Sequence, residues 1–516
     1  MLLKIQSAYV EGIQAQLIDV EVDYSTSPKP RYHVVGLPDT AIRESGERVR
    51  AAIRNCGLYY PSAGTITVNL APADFKKEGS CYDLPIALAL LGMSDALPPR
   101  SLRKWLILGE LSLDGKVRPI RGALPVALSA QKSGVTRLLL PAGSSEEAAV
   151  VDGVEVYRAE TLPQVCQMLE NDPIQADPVR VSREELAHPP GVYRPDFAEV
   201  KGQQSAKRAL EVACAGGHNI LMIGPPGSGK TMLAKRIPSI MPRMSFSEAL
   251  ETTAIHSVTG LLNGQRRFLV ERPFRAPHHT ISRAGLVGGG TNPRPGEVSL
   301  AHNGVLFLDE LPEFQRHVLE VLRQPLEDGE VTISRASRSL TFPSRFMLAS
   351  AMNPCPCGYH GSAIKECVCT PPQIHRYRSK ISGPLMDRID LHIEVAEVPY
   401  RDLTSKADGE PSQAIARRVR ESRVRQLKRF SREGVFCNAQ MGPRELEANC
   451  RLSPRAQDRL RQAIEQLGFS ARTYDRVLKV ARTIADLEAA ETLSAAHISE
   501  AIQYRTLDRH DWTDPG

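Results

Sequence analysis

Short apolar runs, punctuated by glycine and proline and separated by amphipathic stretches, give the chain the alternation of an α/β protein. Gln14 to Val22, Arg31 to Val35 and Thr65 to Asn69 alternate like half-buried strands. Asp39 to Cys56 has a helical period, Asp83 to Leu91 reads as a buried helix, Leu124 to Lys132 as a helix and Arg137 to Leu140 as a strand. Gly109 to Val117 predicts a hairpin that turns on Asp114-Gly115. Three further runs, Asn219 to Ile223, Val305 to Leu308 and Phe346 to Met352, are apolar almost throughout, as strands of a parallel sheet covered on both faces are. Beyond Tyr400 the pattern is helical: Ala414 to Arg432, Arg444 to Asn449, Pro454 to Leu467, Ala471 to Leu487 and Ser494 to Tyr504 make a small bundle.

Proline and charge gather between Glu170 and Pro195, a composition that builds no core and reads as a linker. The pattern divides the chain into an α/β domain at 1–170, a linker at 171–195, an α/β core at 196–400 and a helical segment at 401–516. A length of 516 residues suits about three domains of ~150 residues each. Hydrophobic content of 42% and charged content of 24% are those of an ordinary globular protein. No apolar run approaches the ~20 residues of a membrane span, and Met1-Leu-Leu-Lys-Ile5 lacks the features of a signal peptide. The expectation is a cytoplasmic protein without a membrane partner. Ten cysteines are too few for a disulfide framework, and the net charge of +6 is mild, so placement of the cations matters more than their total.

The strand at Asn219 runs directly into Gly224-Pro225-Pro226-Gly227-Ser228-Gly229-Lys230-Thr231, the G-x-x-x-x-G-K-[ST] phosphate loop. Glycines let backbone N–H groups surround phosphate oxygens, Lys230 reaches the outer phosphates of ATP, and the Thr231 hydroxyl holds Mg²⁺. The strand at Val305 ends in Asp309-Glu310: the first acid would complete the Mg²⁺ shell and the second would orient the attacking water. Asn353 ends the third strand, at the sheet edge where α/β folds bind ligands. A lone glycine-rich loop is often only a turn; with an Asp-Glu strand behind it, nucleotide hydrolysis is the better reading.

A long insertion, Thr252 to Leu300, carries Arg266, Arg267, Arg272, Arg275, His278, His279, Arg283 and Arg294 among Gly288-Gly289-Gly290. The run from Gly329 to Ser344 predicts a β-hairpin with Arg335 and Arg338 near its tip. Arg275, Arg283, Arg335 and Arg338 are the candidate contacts to a DNA backbone, single-stranded or branched, against the plainer reading of a solvated rim. The helix from Ala414 carries Arg417, Arg418, Arg420, Arg423, Arg425, Lys428, Arg429 and Arg432 against the single acid Glu421, a surplus that suits nucleic acid or an acidic partner. Cys355-Pro-Cys357 and Cys367-Val-Cys369 flank a short polar loop and can close a tetrahedral site. An all-sulfur set suits a structural Zn²⁺, with free thiols as the alternative. The other six cysteines are scattered packing residues.

Thr65 to Leu169, and Gly109 to Ile120 above all, resembles the proteolytic domain of Lon proteases and their ribosomal-protein-S5-like relatives. Such a protease needs a serine and a lysine base. The matching segments read Gly79-Ser80-Cys81-Tyr82-Asp83, with cysteine in the serine's place, and Gly122-Ala-Leu-Pro-Val126, without lysine. The domain reads as a non-catalytic interaction module, with residual peptidase activity as the lesser alternative. Val200-Lys-Gly-Gln203 resembles the segment that covers the adenine in AAA+ ATPases. The insertion and the hairpin resemble the helix-2-insert clade of magnesium chelatase and MCM helicases. Arg275-Ala-Pro-His-His-Thr280, Gly285 to Gly290, Asn353-Pro-Cys-Pro-Cys-Gly358 and Lys380 to Asp390 resemble the YifB/ComM family of magnesium-chelatase-like proteins over nearly the whole chain. That resemblance implies a Lon-like first domain, an AAA+ core, an all-α lid and a cytoplasmic ATP-driven ring of identical subunits, a hexamer. It further implies a helicase that promotes branch migration as transforming DNA is integrated, alongside recombination proteins. It makes Asn353 sensor 1, the residue that positions the lytic water, Arg388 a finger reaching the neighbour's γ-phosphate, and Arg472 sensor 2, with Arg476 competing for that role. An ATPase that remodels a protein partner, and a DNA-binding regulator with little turnover, are the alternatives.

Overall fold

The computed structural model describes residues 2–94, 96–171, 175–182, 195–262, 268–290, 292–335, 338–362, 365–398, 409–430 and 435–505. The chain forms two compact units, Met1–Pro190 with Ala249–Val270, and Gly191–Glu248 with Glu271–Gly516. Among the described residues no helix is long and apolar enough to cross a membrane.

The first unit is built on Leu2–Glu11 (β1), Gln14–Ser25 (β2), Arg31–Val35 (β3), Thr65–Ala71 (β4), Leu106–Ile107 (β5), the hairpin Glu110–Leu111 (β6) with Val117–Arg118 (β7), Arg137–Pro141 (β8) and Glu155–Ala159 (β9). Seven of these strands form one mixed sheet in the order β3-β4-β2-β1-β5-β8-β9. The longest ladder, β1 with β2, is antiparallel from Leu2↔Asp23 to Glu11↔Gln14; β1 carries no clean alternation in sequence, since Ser7, Ala8 and Tyr9 are all buried. Asp83–Met93 is buried from Asp83 to Gly92, which is why it shows no polar face. The predicted helix over Asp39 to Cys56 breaks at Glu44 into Thr40–Arg43 and Ser45–Asn55.

The second unit carries Ile220–Ile223 (β10), Phe274–Arg275 (β11), Gly288–Gly289 (β12), Arg294–Pro295 (β13), Val305–Leu308 (β14), Glu330–Arg335 (β15), Arg338–Pro343 (β16), Met347–Met352 (β17) and Leu391–Glu394 (β18). Its sheet is parallel, ordered β11-β14-β17-β10-β18, so the strand before the phosphate loop lies between β17 and β18. The short apolar runs became its central strands because both faces are covered. The hairpin forms as read, β15 against β16. The C-terminal helices Ser412–Arg429, Pro443–Asn449, Pro454–Leu467, Ala471–Leu487 and Ala495–Gln503 share one hydrophobic core with the sheet. In Ala471–Leu487 the apolar stripe of the helical period, Val477, Val480, Ala481 and Ile484, is buried.

The basic helix Ser412–Arg429 is less of a free cationic surface than its sequence suggests. Arg418 pairs with Glu211 and Glu410, and Arg429 with Asp486. Arg423 donates to the Cys214 carbonyl at 3.0 Å and Arg425 to that of Asp486 at 2.9 Å. Arg417, Arg420 and Lys428 stay exposed, and Arg432 lies outside the described residues.

Candidate functional site

β10 ends at Ile223 and the chain turns through Gly224 to Gly229 into the helix Lys230–Ile240. Gly227 and Gly229 take φ of 80° and 93°, the left-handed region that side chains avoid. A Cβ on Gly224 would fall 2.2 Å from the Val395 carbonyl oxygen, so the loop also needs glycine for close approach. The Lys230 ammonium is buried and donates to the carbonyls of Gly224 at 2.7 Å and Pro225 at 2.9 Å, and to Asn353 Oδ1 at 3.3 Å. Burial lowers its pKa, with Asp309 and Glu310 opposing that shift. Thr231 Oγ1 donates to Asp309 Oδ2 at 2.5 Å, while Asp309 Oδ1 accepts from the Glu310 N–H at 3.0 Å.

The pairing of β14 with β17, Leu308 opposite Ser350, brings Asp309 and Asn353 to one edge of the sheet. The loop, both acids and the asparagine converge as the sequence implied. Gln203, which opens the helix Gln204–Gly216, donates to the Ser228 carbonyl at 3.2 Å and to that of Ala396 at 2.6 Å, tying the entry segment to the phosphate loop.

A residue that sequence reasoning did not place here completes the pocket. β11 runs parallel to β14 with Arg275 opposite Leu306, and four residues on, past the end of that ladder, His279 comes beside Glu310. His279 Nδ1 lies 3.4 Å from Glu310 Oε2, in a cavity of about 290 Å³ lined also by Thr231, Lys235, His278 and Asp309. Glu310 itself has φ 52°, a backbone state that costs a non-glycine residue ~1–2 kcal/mol and fixes where its carboxylate starts.

The arginines divide into committed and open ones. Arg275 makes a bidentate pair with Glu297 at 2.6 and 2.7 Å, and that hydrogen bonding raises its pKa. Arg272 is held by Glu248 at 3.1 Å. Arg283 and Arg294 are exposed; Arg266 and Arg267, and the side chains of Arg335 and Arg338, lie outside the described residues. Arg388 donates to the Pro384 carbonyl at 2.7 Å and pairs with Glu327, whose carboxyl it holds below the usual range, with Arg472 adding to that field. Arg472 is 68% exposed and lies 3.8 Å from Asp387. Arg476 is tied to buried Asp390, which also accepts from the Asn219 N–H at 3.1 Å. Arg388 and Arg472 therefore both act on Glu327, while Arg476 is committed to Asp390.

Cys355, Cys357, Cys367 and Cys369 bring their four sulfurs within 4.8 Å of one another. The separations of Cys355 from Cys357, Cys355 from Cys367 and Cys357 from Cys367 are 3.3, 3.7 and 3.6 Å. An ion with ~2.3 Å Zn–S bonds spaces four sulfurs ~3.8 Å apart, so the set fits Zn²⁺. Backbone N–H groups aim at the sulfurs, Cys357 N–H at Cys369 Sγ and His360 N–H at Cys355 Sγ, each at 3.3 Å. Such donors stabilise thiolate, the form that binds metal.

In the first unit the turn aligned with a peptidase nucleophile is occupied otherwise. The Ser80 hydroxyl donates to Glu110, and burial pushes the Cys81 thiol up to about 12. Arg48 clamps Asp83 at 2.7 and 3.0 Å. Where a lysine base would stand, the Ala123 N–H and the Ser257 hydroxyl donate to Glu147 at 3.0 and 3.1 Å.

Family models match three stretches: the model for subunit ChlI of Mg-chelatase over 20–144, that for magnesium chelatase subunit ChlI over 196–403, and that for the ChlI C-terminal part over 409–505. Competence protein ComM of Haemophilus influenzae is 44% identical over 501 residues, 96% of each chain. The uncharacterized protein YifB of Escherichia coli is 43% identical over 502 residues, again 96% of each. Lon protease 2 of Bacillus subtilis is 28% identical over 148 residues, 27% of this chain and 26% of that protein, which accords with the Lon-like reading of part of the fold. With relatives this similar along almost its entire length, the chain belongs to the YifB/ComM family of magnesium-chelatase-like AAA+ proteins.

Proposed function

We propose that the protein is an ATP-hydrolysing ring motor that moves on DNA and promotes branch migration when incoming DNA is integrated. The observation that carries the ATPase part is the convergence of Lys230, Thr231, Asp309, Glu310 and Asn353 at neighbouring strand ends. Gly224 to Thr231 would cradle the phosphates, and Thr231 with Asp309 would hold Mg²⁺. Glu310, with Asn353, would orient the lytic water. Arg388 would reach the γ-phosphate of a neighbouring subunit, where charge spreads over three oxygens in the transition state. Arg472, whose charge also acts on Glu327, is assigned as the sensor-2 arginine, ahead of Arg476, which is tied to Asp390. The four cysteines would hold a structural Zn²⁺, which leaves no open coordination position and so supplies rigidity rather than chemistry.

The DNA part is supported by the exposed Arg283 and Arg294 of the insertion and by the competence protein among the close relatives. A hexamer is the ring implied by the resemblance. Remodelling of a protein partner is the second reading, favoured by one observation: Arg275 and half of the basic helix are consumed by partners within the chain. Strand exchange on a labelled four-way DNA junction with ATP, beside the Lys230→Ala protein, separates the two. Movement that needs ATP and is lost in the variant supports the motor. No movement, with ATP turnover indifferent to any DNA, overturns it in favour of protein remodelling.

A further inference from the structure

The cysteine loop and the phosphate loop are in contact, through a glycine that neither motif explains. Gly358 follows Cys357 directly and has φ 86°. A Cβ there would fall 2.6 Å from Cδ and 2.7 Å from Cγ of Pro226, and 3.9 Å from Cγ of Asn353. Pro226 is a ring fixed to its own backbone, so it cannot rotate aside as a flexible side chain would. Gly358 is held in place by the turn that presents the cysteines, its N–H donating to the Cys355 carbonyl at 3.0 Å. From the other side Arg378 donates to the Pro354 carbonyl at 3.1 Å, in the single residue that separates Asn353 from Cys355. Asn353 in turn accepts from Lys230.

We propose that Gly358 is a positioning residue for the nucleotide site: an ion held by Cys355, Cys357, Cys367 and Cys369 fixes Gly358 against Pro226 and Asn353 beside Lys230, so that the phosphate loop is shaped for ATP only when the cysteines are loaded. The inference rests on the ATP and Zn²⁺ readings above and adds a coupling between them. The physical reason is preorganisation. Two short Cys-x-Cys arms without an ion are held by weak N–H to sulfur contacts, and metal binding supplies the free energy that orders such a loop. A phosphate loop whose neighbour is unfixed must be ordered by the nucleotide itself, and affinity falls by that cost.

The test uses the full chain, metal analysis and titration with a fluorescent, non-hydrolysable ATP analogue in Mg²⁺. Gly358→Ala is expected to keep the parent's Zn²⁺ content while its nucleotide Kd rises about tenfold or more, the usual scale for a methyl forced into a packed contact. Adding Pro226→Ala, which removes the ring atoms that the new methyl strikes, is expected to recover the share of that loss due to the clash, while the strain of an alanine at φ 86° stays. Stripping the parent with a chelator is expected to raise Kd to a similar degree, and Zn²⁺, but not further Mg²⁺, to restore it; this arm decides the matter if Gly358→Ala fails to fold. Full Zn²⁺ with unchanged nucleotide binding in Gly358→Ala, or stripped parent that binds as well as loaded parent, overturns the coupling. Parent protein without Zn²⁺ overturns the metal reading instead, and loaded parent that binds no nucleotide overturns the ATP reading.

Discussion

The molecule presents two glycine-bearing turns, each feeding a buried helix, and they have opposite characters. In the second unit Gly227-Ser-Gly229 leads into Lys230–Ile240; in the first, Gly79-Ser80-Cys81 leads into Asp83–Met93. The first turn satisfies itself. Asp39 accepts from the Gly79 N–H at 2.9 Å, Ser80 donates to Glu110, and Arg48 forks onto Asp83. The second does not. Its lysine leans on two backbone carbonyls and the Asn353 side-chain oxygen, neutral groups that a phosphate would outcompete, and its two acids line an open cavity of about 290 Å³. A polar site closed by its own partners acts as scaffold, while one whose charges rest on neutral groups is poised for a ligand.

The largest effect that sharpens this contrast is expected at Glu310. Glu310→Gln keeps the size of the side chain and the approach of His279, yet removes the charge that would orient and polarise water. Steady-state ATP turnover should fall by ~10²–10⁴, the usual range for loss of a positioned base. ATP should still bind, so filter binding with labelled nucleotide should find it retained and uncleaved. Turnover within a few-fold of the parent would remove Glu310 from the chemistry and leave the second turn no more active than the first.

Much of this contrast is legible in the sequence, and the remainder is not, for identifiable reasons. The phosphate loop, the acids and Asn353 are announced because strand, turn and helix are local patterns. The cysteine set is announced because its ligands come in two tight pairs. His279 beside Glu310 depends on the parallel register of β11 with β14, which joins segments with no local relation. Gly358 against Pro226 depends likewise on a tertiary contact. The basic helix misleads for the converse reason. The sequence shows its cations, and Glu211, Glu410 and Asp486, which neutralise them, come from elsewhere in the chain. Arg275 is absorbed in the same way by Glu297.

A smaller effect is expected where the first unit buries an acid. Glu147 is pushed up to about 7 by burial, against hydrogen bonds from Ser257 and the start of the helix Ala123–Lys132 that lower it. The folded state thus holds this proton more tightly than the unfolded chain. Its contribution to stability is fully present below the unfolded value of ~4.3 and is lost as pH rises through about 7. Between pH 5 and pH 8 the loss should be on the order of 2–3 kcal/mol. Glu147→Gln keeps the acceptor oxygen and cannot ionise. Urea unfolding followed at pH 5 and pH 8 should therefore show the parent weakening by more than the variant, in which Asp83, raised to about 6 by burial, still titrates. Equal pH dependence in both proteins would mean that the carboxyl is hydrated and the scaffold is looser than its hydrogen bonds suggest.

The smallest effect should come from the turn that resembles a protease. Ser80→Ala deletes one hydroxyl whose partner, Glu110, keeps a second contact with Arg118 at 3.4 Å. The cost should be about 0.5–1.5 kcal/mol of stability, the net value of a hydrogen bond. ATP turnover should be unchanged, and hydrolysis of an unfolded protein substrate should be the same before and after substitution. The chemistry behind that expectation is direct: a serine that donates to Glu110, with no lysine or histidine beside it, has only a weakly basic carboxylate to take its proton during attack, and the Cys81 thiol, at about 12, is protonated at neutral pH. Peptide cleavage by the parent that disappears in Ser80→Ala would make the first turn a working site and erase the contrast between the two units.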